Sequence, residues 1–436
     1  MRRRAKRVAS VVALFAAVSV VGVPTPSPAA ARPRTACALA AVEIPVLPRA
    51  RFAELYDVKA LSADDAWTVG MHANRDGFMR PLAAHWDGSV WTRVPVPPPG
   101  DGHAVAMTRL TAVSSTDVWA IGRESLLPAT PNGDFLGPRS GPDFYRLPGV
   151  LYHWDGQAWS ILPVHLWHAV ATFAAIEAVG PNDLWVVGSW QALPAGSGPH
   201  SPPLLPLVLH WDGATWTKQH PTLFPGEHIT WMTDVDTTSP AGVLAVGIEM
   251  KNWRRQPTWF SVPLQGGSWT TSPSPGVPGI RAVSGAWGIG PRTLVTDPID
   301  SSDKDVVVDA YQLGSSGWTP SSSPVVVRSI DNGWGAFLSD IWAEGDEAWS
   351  VGALENQDGG AYIAGAIAEV WTGGPDWSLV TLPDLHSTDW LSAVDVAPAG
   401  GADSEHVFMV GSRAVGTWNE QVSPIELRPL VIQTIC

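Results

Sequence analysis

Three stretches of this chain are nearly the same phrase: AAHWDGSVWTRVPVP at 83–97, VLYHWDGQAWSILPV at 150–164 and VLHWDGATWTKQHP at 208–221. A chain that repeats itself folds as repeated units, and the period narrows the choice of unit. Ahead of each copy stands a second recurrent string: LYDVKALSADDAWTVG (55–70), LTAVSSTDVWAIG (110–122) and FAAIEAVGPNDLWVVG (173–188). Looser copies occupy 231–247, 280–298, 338–352 and 391–411, which makes seven. From Gly70 to Gly411 is 341 residues in six steps, a period of about 57.

Each unit reads as four short strands. Alternating apolar residues lead into a Ser/Asp turn, VWAIG follows with β-branched and aromatic residues, and a Trp-Asp-Gly turn joins the last two strands. Asp-Gly between apolar runs is a strong hairpin signal, because a type I′ turn needs positive φ at both central residues. That turn at Asp155-Gly156 sets Trp154 and Trp159 as diagonal neighbours on one sheet face. The Asp-Gly pair decays in later units while the closing tryptophan persists as Trp269, Trp318 and Trp377. A packing device must recur in every unit and a catalytic one need not. These tryptophans, with His85, His153 and His210, therefore read as structure.

Four-stranded units of 40–60 residues predict an all-β fold, a seven-bladed β-propeller with four antiparallel strands per blade. The pattern resembles secreted bacterial propellers of the Kelch and Asp-box kind. Asp-Gly-x-x-Trp is similar to Ser-x-Asp-x-Gly-x-x-Trp, one residue shorter and without the serine. The last unit runs out at PIELRPLVIQTIC (424–436), and VEIPVLP (42–48) precedes the first, so an N-terminal strand is expected to complete the last blade and cover its edge. That closure brings together Cys37 and Cys436, the two cysteines of the chain, and predicts a disulfide. Two free thiols are the alternative.

The first residues differ from the rest. MRRRAKR is basic, VASVVALFAAVSVVGV is apolar, and PTPSPAAAR ends in small residues, which reads as a signal peptide over 1–31 cut near Ala31. A short segment over 32–40 holds Cys37, and 41–436 forms one propeller. Export by the general or the twin-arginine route stays open. Cleavage removes five basic groups and no acid, taking the net charge from −14 to −19. So acidic a chain is a poor match for nucleic acid. No later stretch is long and apolar enough for a membrane helix. The expectation is a secreted, extracellular monomer.

Function is expected where the repeat breaks. Long Pro/Gly-rich segments at 123–149 and 189–206 fall between second and third strands, and loops of this kind commonly carry function. The loops between units feed the innermost strands and surround a central channel. They supply His103, His168, His228 and His386 as candidate ligands for a divalent metal, and His168, His228, Glu227 and Asp389 as candidate acid–base groups. Trp167, Trp231, Trp334 and Trp390 are the candidate ligand-binding aromatics, since indoles beside carboxylates suit sugars. No nucleophile elbow, phosphate loop or calcium loop is present, and no cofactor is expected beyond that metal. The leading expectation is a binding platform for a glycan or an extracellular protein. The alternative is a lyase or hydrolase working at the channel mouth.

Overall fold

The computed structural model of the protein describes residues 37–435 except 46–49, 51, 74–78, 101–103, 126–148, 165–168, 193–202, 220–228, 251–257, 266–267, 270–278, 291–292, 297–303, 330–333, 357–361, 384, 387–388, 399–405 and 416–425. Every regular element it describes is a β-strand, and the fold is an all-β propeller. One unit shows why the sequence gives this sheet. Ala104–Ser114, Asp117–Ser125, Gly149–Trp154 and Trp159–Leu162 pair antiparallel in chain order. Side chains along a strand alternate between faces. Val118, Ala120 and Tyr152 enter a core shared with the preceding sheet, while Trp119, Ile121 and Leu151 enter one shared with the following sheet. With both faces covered, the middle of the second strand, Val118 to Ile121, is apolar.

The closing tryptophans are the inter-sheet packing device. Trp159 meets Trp67 of the preceding sheet edge-on at 5.8 Å, Trp216 meets Trp119 at 5.9 Å, and Trp377 meets Trp287 at 5.0 Å. Edge-to-face pairs add to the burial of the rings themselves. His153 and His210 stack on Trp119 and Trp185 at 4.1 and 4.0 Å, and their Nε2 atoms lie 2.9 and 2.8 Å from Asp117 and Asp183.

The expected seven-bladed count is corrected. Five sheets stand as separate blades, four of them with four strands and one with five. The first and last repeats form a single eight-stranded sheet instead. Their apolar faces pack together through Leu55, Val58, Phe408 and Val431, but a parallel pairing of Phe52 with Leu427 also joins them by backbone. The fifth strand of the odd blade, Thr293–Thr296, pairs beside Lys304–Gly314. The N-terminal strand lies at Ala38–Val42, not 42–48, and pairs antiparallel with the C-terminal strand, Ala38 opposite Ile435.

The Asp-Gly turns also differ from the type I′ expectation. Trp154 and Trp159 are directly opposite across a four-residue loop, as are Trp86 with Trp91 and Trp211 with Trp216. The cause is the aspartate side chain: Asp155 Oδ1 accepts the amides of Gln157 and Ala158, both at 2.9 Å, which stabilises the longer loop. The glycine of each of these loops has positive φ, 87–90°.

Candidate functional site

The first strand of each repeat lines a central channel. These strands would be uniform ladders but for a bulge, which falls at Tyr56, Thr108, Ala174, Thr233, Ser339 and Ser392. Opposite it sits the glycine that ends each second-strand motif. A Cβ on Gly70, Gly188, Gly352 or Gly411 would overlap a backbone carbonyl of the inner strand, so the close approach requires glycine. Bulges re-aim side chains. Here they are followed by Asp57, Arg109, Asp234 and Asp340, all of which line the channel.

The polar side chains of this ring tie one inner strand to the next. Leu110 donates its amide to Asp57 Oδ2 at 2.7 Å, Val283 to Asp234 at 2.8 Å, and Val394 to Asp340 at 3.1 Å. Two positions further along, Ala60 donates to Asp395 at 2.7 Å, Gly285 to Asp236 at 3.1 Å, Ala343 to Ser284 at 2.9 Å and Ala178 to Thr111 at 3.2 Å. The channel wall is thus held by side-chain acceptors between neighbouring inner strands that do not pair with each other in a β-ladder.

The channel has two halves of opposite sign. Towards the hairpin turns that end the inner strands lies a cavity of about 710 Å³. Asp57, Glu177, Asp234, Asp236, Asp340 and Asp395 line it against Lys59 and Arg109. Burial pushes the carboxyls of Asp57, Glu177 and Asp234 up to about 7, with Arg109 opposing for the two aspartates and Lys59 for Glu177. Burial likewise raises Asp236, Asp340 and Asp395. Lys59, 3.6 Å from Asp395, is held protonated by it.

Towards the strand starts, where the loops between repeats enter, lies a smaller cavity of about 380 Å³. Arg109, Arg123 and Arg281 line it, with Trp231 and Trp259, and no described carboxylate does. Arg109 belongs to both halves. Its guanidinium donates to the Tyr56 and Thr108 carbonyls, and Arg281 donates to the Ser339 carbonyl at 3.4 Å. Burial and then the charge of Arg109 lower the pKa of Arg281. Trp259 is half-buried above Gly279, whose φ is +39° and whose missing side chain leaves room for the indole.

Among the residues expected to bind or catalyse, Trp231 lines this second cavity, although it is only 6% exposed and packs on Leu204, Ile248 and Met250. Asp389 is fully buried, pairs with Arg413 through both oxygens at 3.0–3.2 Å, and accepts the His386 amide at 2.9 Å. His386 is exposed and Trp390 half-buried. His103, Trp167, His168, Glu227 and His228 lie outside the described residues, as does the side chain of Trp334. Among the described residues, no group of three or more His, Cys, Asp or Glu is placed to hold a metal ion, and no helix is long and apolar enough to cross a membrane. Sequence reasoning missed Arg109, Arg123, Arg281 and Trp259. It also passed over Asp57, Asp234 and Asp340, each of which lies within an inner strand just after the bulge.

No protein family matches the chain, and no curated protein does. Solved structures similar to it include a polysaccharide lyase of family PL25, an ulvan lyase bound to a GlcA–Rha3S saccharide, with 11% identity and a TM-score of 0.43 over 74% of this chain and 80% of that one. YjhT is similar with 11% identity and a TM-score of 0.40, over 77% and 99%. The Penicillium chrysogenum α-L-arabinanase complexed with arabinobiose has 12% identity and a TM-score of 0.37, over 88% and 94%. No residue role is carried across at these identities.

Proposed function

We propose that this chain is a secreted propeller that holds a saccharide at the strand-start half of its channel. The observation that carries this reading is the 380 Å³ cavity in which two indoles stand beside fixed guanidinium donors. A sugar has an apolar ring face and a rim of hydroxyls, and a site that offers an aromatic surface beside oriented donors matches both. Export is supported by the basic and apolar leader of residues 1–31. A Cys37–Cys436 disulfide is supported by the pairing of the terminal strands, in which Ala38, next to Cys37, lies opposite Ile435. Cys37 is not a free thiol.

A glycan array probed with the full mature chain and with Trp259→Ala tests the reading. Retention of a saccharide by the parent and its loss in the folded variant are expected. Equal retention by both would place the ligand elsewhere.

A catalytic reading, hydrolase or lyase, placed in the neighbouring 710 Å³ cavity has one observation in its favour. Asp57, Glu177 and Asp234 ionise near 7, the range in which a carboxyl both gives and takes a proton at neutral pH. Reducing-end release reads hydrolysis and an unsaturated product reads elimination. Loss of either signal in Glu177→Gln, with binding retained, is the expected result for an enzyme.

A further inference from the structure

We infer that the saccharide is an acidic one, and that its carboxylate or sulfate is seated among Arg109, Arg123 and Arg281. The inference rests on the saccharide reading above and names the class of sugar. Three guanidiniums converge on one small cavity in a chain whose acids outnumber its Lys and Arg 41 to 27. The cluster therefore runs against the composition. The neighbouring cavity shows how this fold neutralises charge when it needs to, with carboxylates next to Lys59 and Arg109. Arg281 is less well matched: the charges of Asp340 and Asp234 reach it at longer range, but it has no ion pair within 4 Å among the described residues and bonds the Ser339 carbonyl. Arg281 and Arg109 repel each other as well. A bound oxyanion relieves that repulsion, and guanidinium forks match carboxylate and sulfate oxygens two at a time. The volume is near the lower end of small-molecule sites, roughly 300–1,000 Å³, so the seat takes a charged substituent and its own sugar ring before an oligosaccharide must leave along the channel.

The acidic half adds a direction. An anionic chain entering from the strand-start face meets the arginines first and is then opposed by the carboxylates behind Arg109. The charged substituent is accordingly held at the Arg109 level and excluded from the 710 Å³ cavity. The polarity of the channel sets both the affinity for an acidic sugar and how deep it goes.

The test uses the whole mature chain. Calorimetric titrations with inorganic sulfate, with a purified uronate- or sulfate-bearing oligosaccharide and with a neutral one of equal length are compared for the parent, Arg281→Ala and Arg281→Lys. Expected are one sulfate site, acidic oligosaccharide binding at least tenfold tighter than neutral, and a tenfold or greater loss in Arg281→Ala. Arg281→Lys should recover part of that loss, since the charge survives and the fork does not. Crystals of the parent soaked in selenate locate the anion directly, even where a variant does not fold. Selenate among the three guanidiniums is expected, and selenate absent from them overturns the seat. Neutral sugar binding as tightly as acidic sugar, unchanged in Arg281→Ala, overturns the inference and leaves the saccharide reading standing. Sulfate bound at the arginines without any saccharide affinity does the reverse.

Discussion

Trp269 donates its indole N–H to Gln219 Oε1 at 2.8 Å across a sheet boundary, whereas for Trp216, one repeat earlier, the residue in the place of Gln219 is Leu162, which packs on the same apolar cluster. The two tryptophans are equivalent: each closes its hairpin and meets an aromatic ring of the preceding sheet. Trp216 Nε1 is buried and has no hydrogen-bond partner, and Trp159 Nε1 is left the same way. A buried donor without an acceptor costs about 1–3 kcal/mol.

Leu162→Gln should therefore supply the missing acceptor. The half-buried leucine gives up some apolar contact, so the comparison that isolates the bond is Leu162→Gln against Leu162→Ala. The glutamine variant is expected to be the more stable by about 1 kcal/mol in chemical denaturation. The difference should vanish when Trp216 is Phe. An alanine variant as stable as the glutamine one would show that no bond forms.

The glycine opposite each bulge is the second test. Gly188→Ala forces a Cβ into the Thr172 carbonyl, and should cost about 3 kcal/mol, the upper part of the range for overpacking. Gly180→Ala is the control, since a Cβ there meets nothing within 4 Å. A denaturation midpoint for Gly188→Ala equal to that of Gly180→Ala would show that the inner strand yields.

The channel carboxyls predict the sign of a pH dependence. Asp57, Asp234 and Glu177 have folded-state pKa values raised to about 7 from ordinary values near 4, mainly by burial and against the charges of Arg109 and Lys59. The folded state holds more protons than the unfolded one in between, so their contribution to stability is complete below about pH 4 and is lost as pH rises through 7. Asp340 and Asp395, raised in the same direction, add to the trend. The melting temperature should fall from pH 5 to pH 8, and less steeply in Asp57→Asn, whose amide oxygen still accepts from Leu110. A melting temperature that climbs over this interval would contradict the assignment.

Mass spectrometry of the unreduced mature protein should show Cys37 linked to Cys436. Reduction should then lower the melting temperature, by a stability loss of at most on the order of 5 kcal/mol in the chain-entropy account. Two alkylatable thiols in the unreduced protein would exclude the pairing.

What repeats was legible in the sequence, because packing between sheets imposes the same residue at the same place. The closing tryptophans and the second-strand glycines are of this kind. The hairpin type was not legible, because a single Asp155 oxygen accepting two amides outweighs the preference of Asp-Gly for a two-residue turn. The blade count failed for a similar reason: one backbone pairing, Phe52 with Leu427, decides whether two repeats make two sheets or one. The channel chemistry was hidden because it does not repeat. Asp57, Arg109, Asp234 and Asp340 occupy equivalent positions after the bulge, and only the fold brings them around one axis. Arg281 reaches the same axis from just ahead of a three-residue strand, Ala282–Ser284, that carries little periodic signal.

The pairing of Ala38–Val42 with the last strand also sets the order in which the molecule can be made. At a synthesis rate of roughly 5–20 residues per second, the first of these strands waits on the order of tens of seconds for its partner to be translated. Until then its own backbone groups lack the strand they pair with in the finished fold. Contacts this distant in sequence are slow to form even in a finished chain. A chain that emerges unfolded must therefore be almost complete before this pairing can form and the ring can shut.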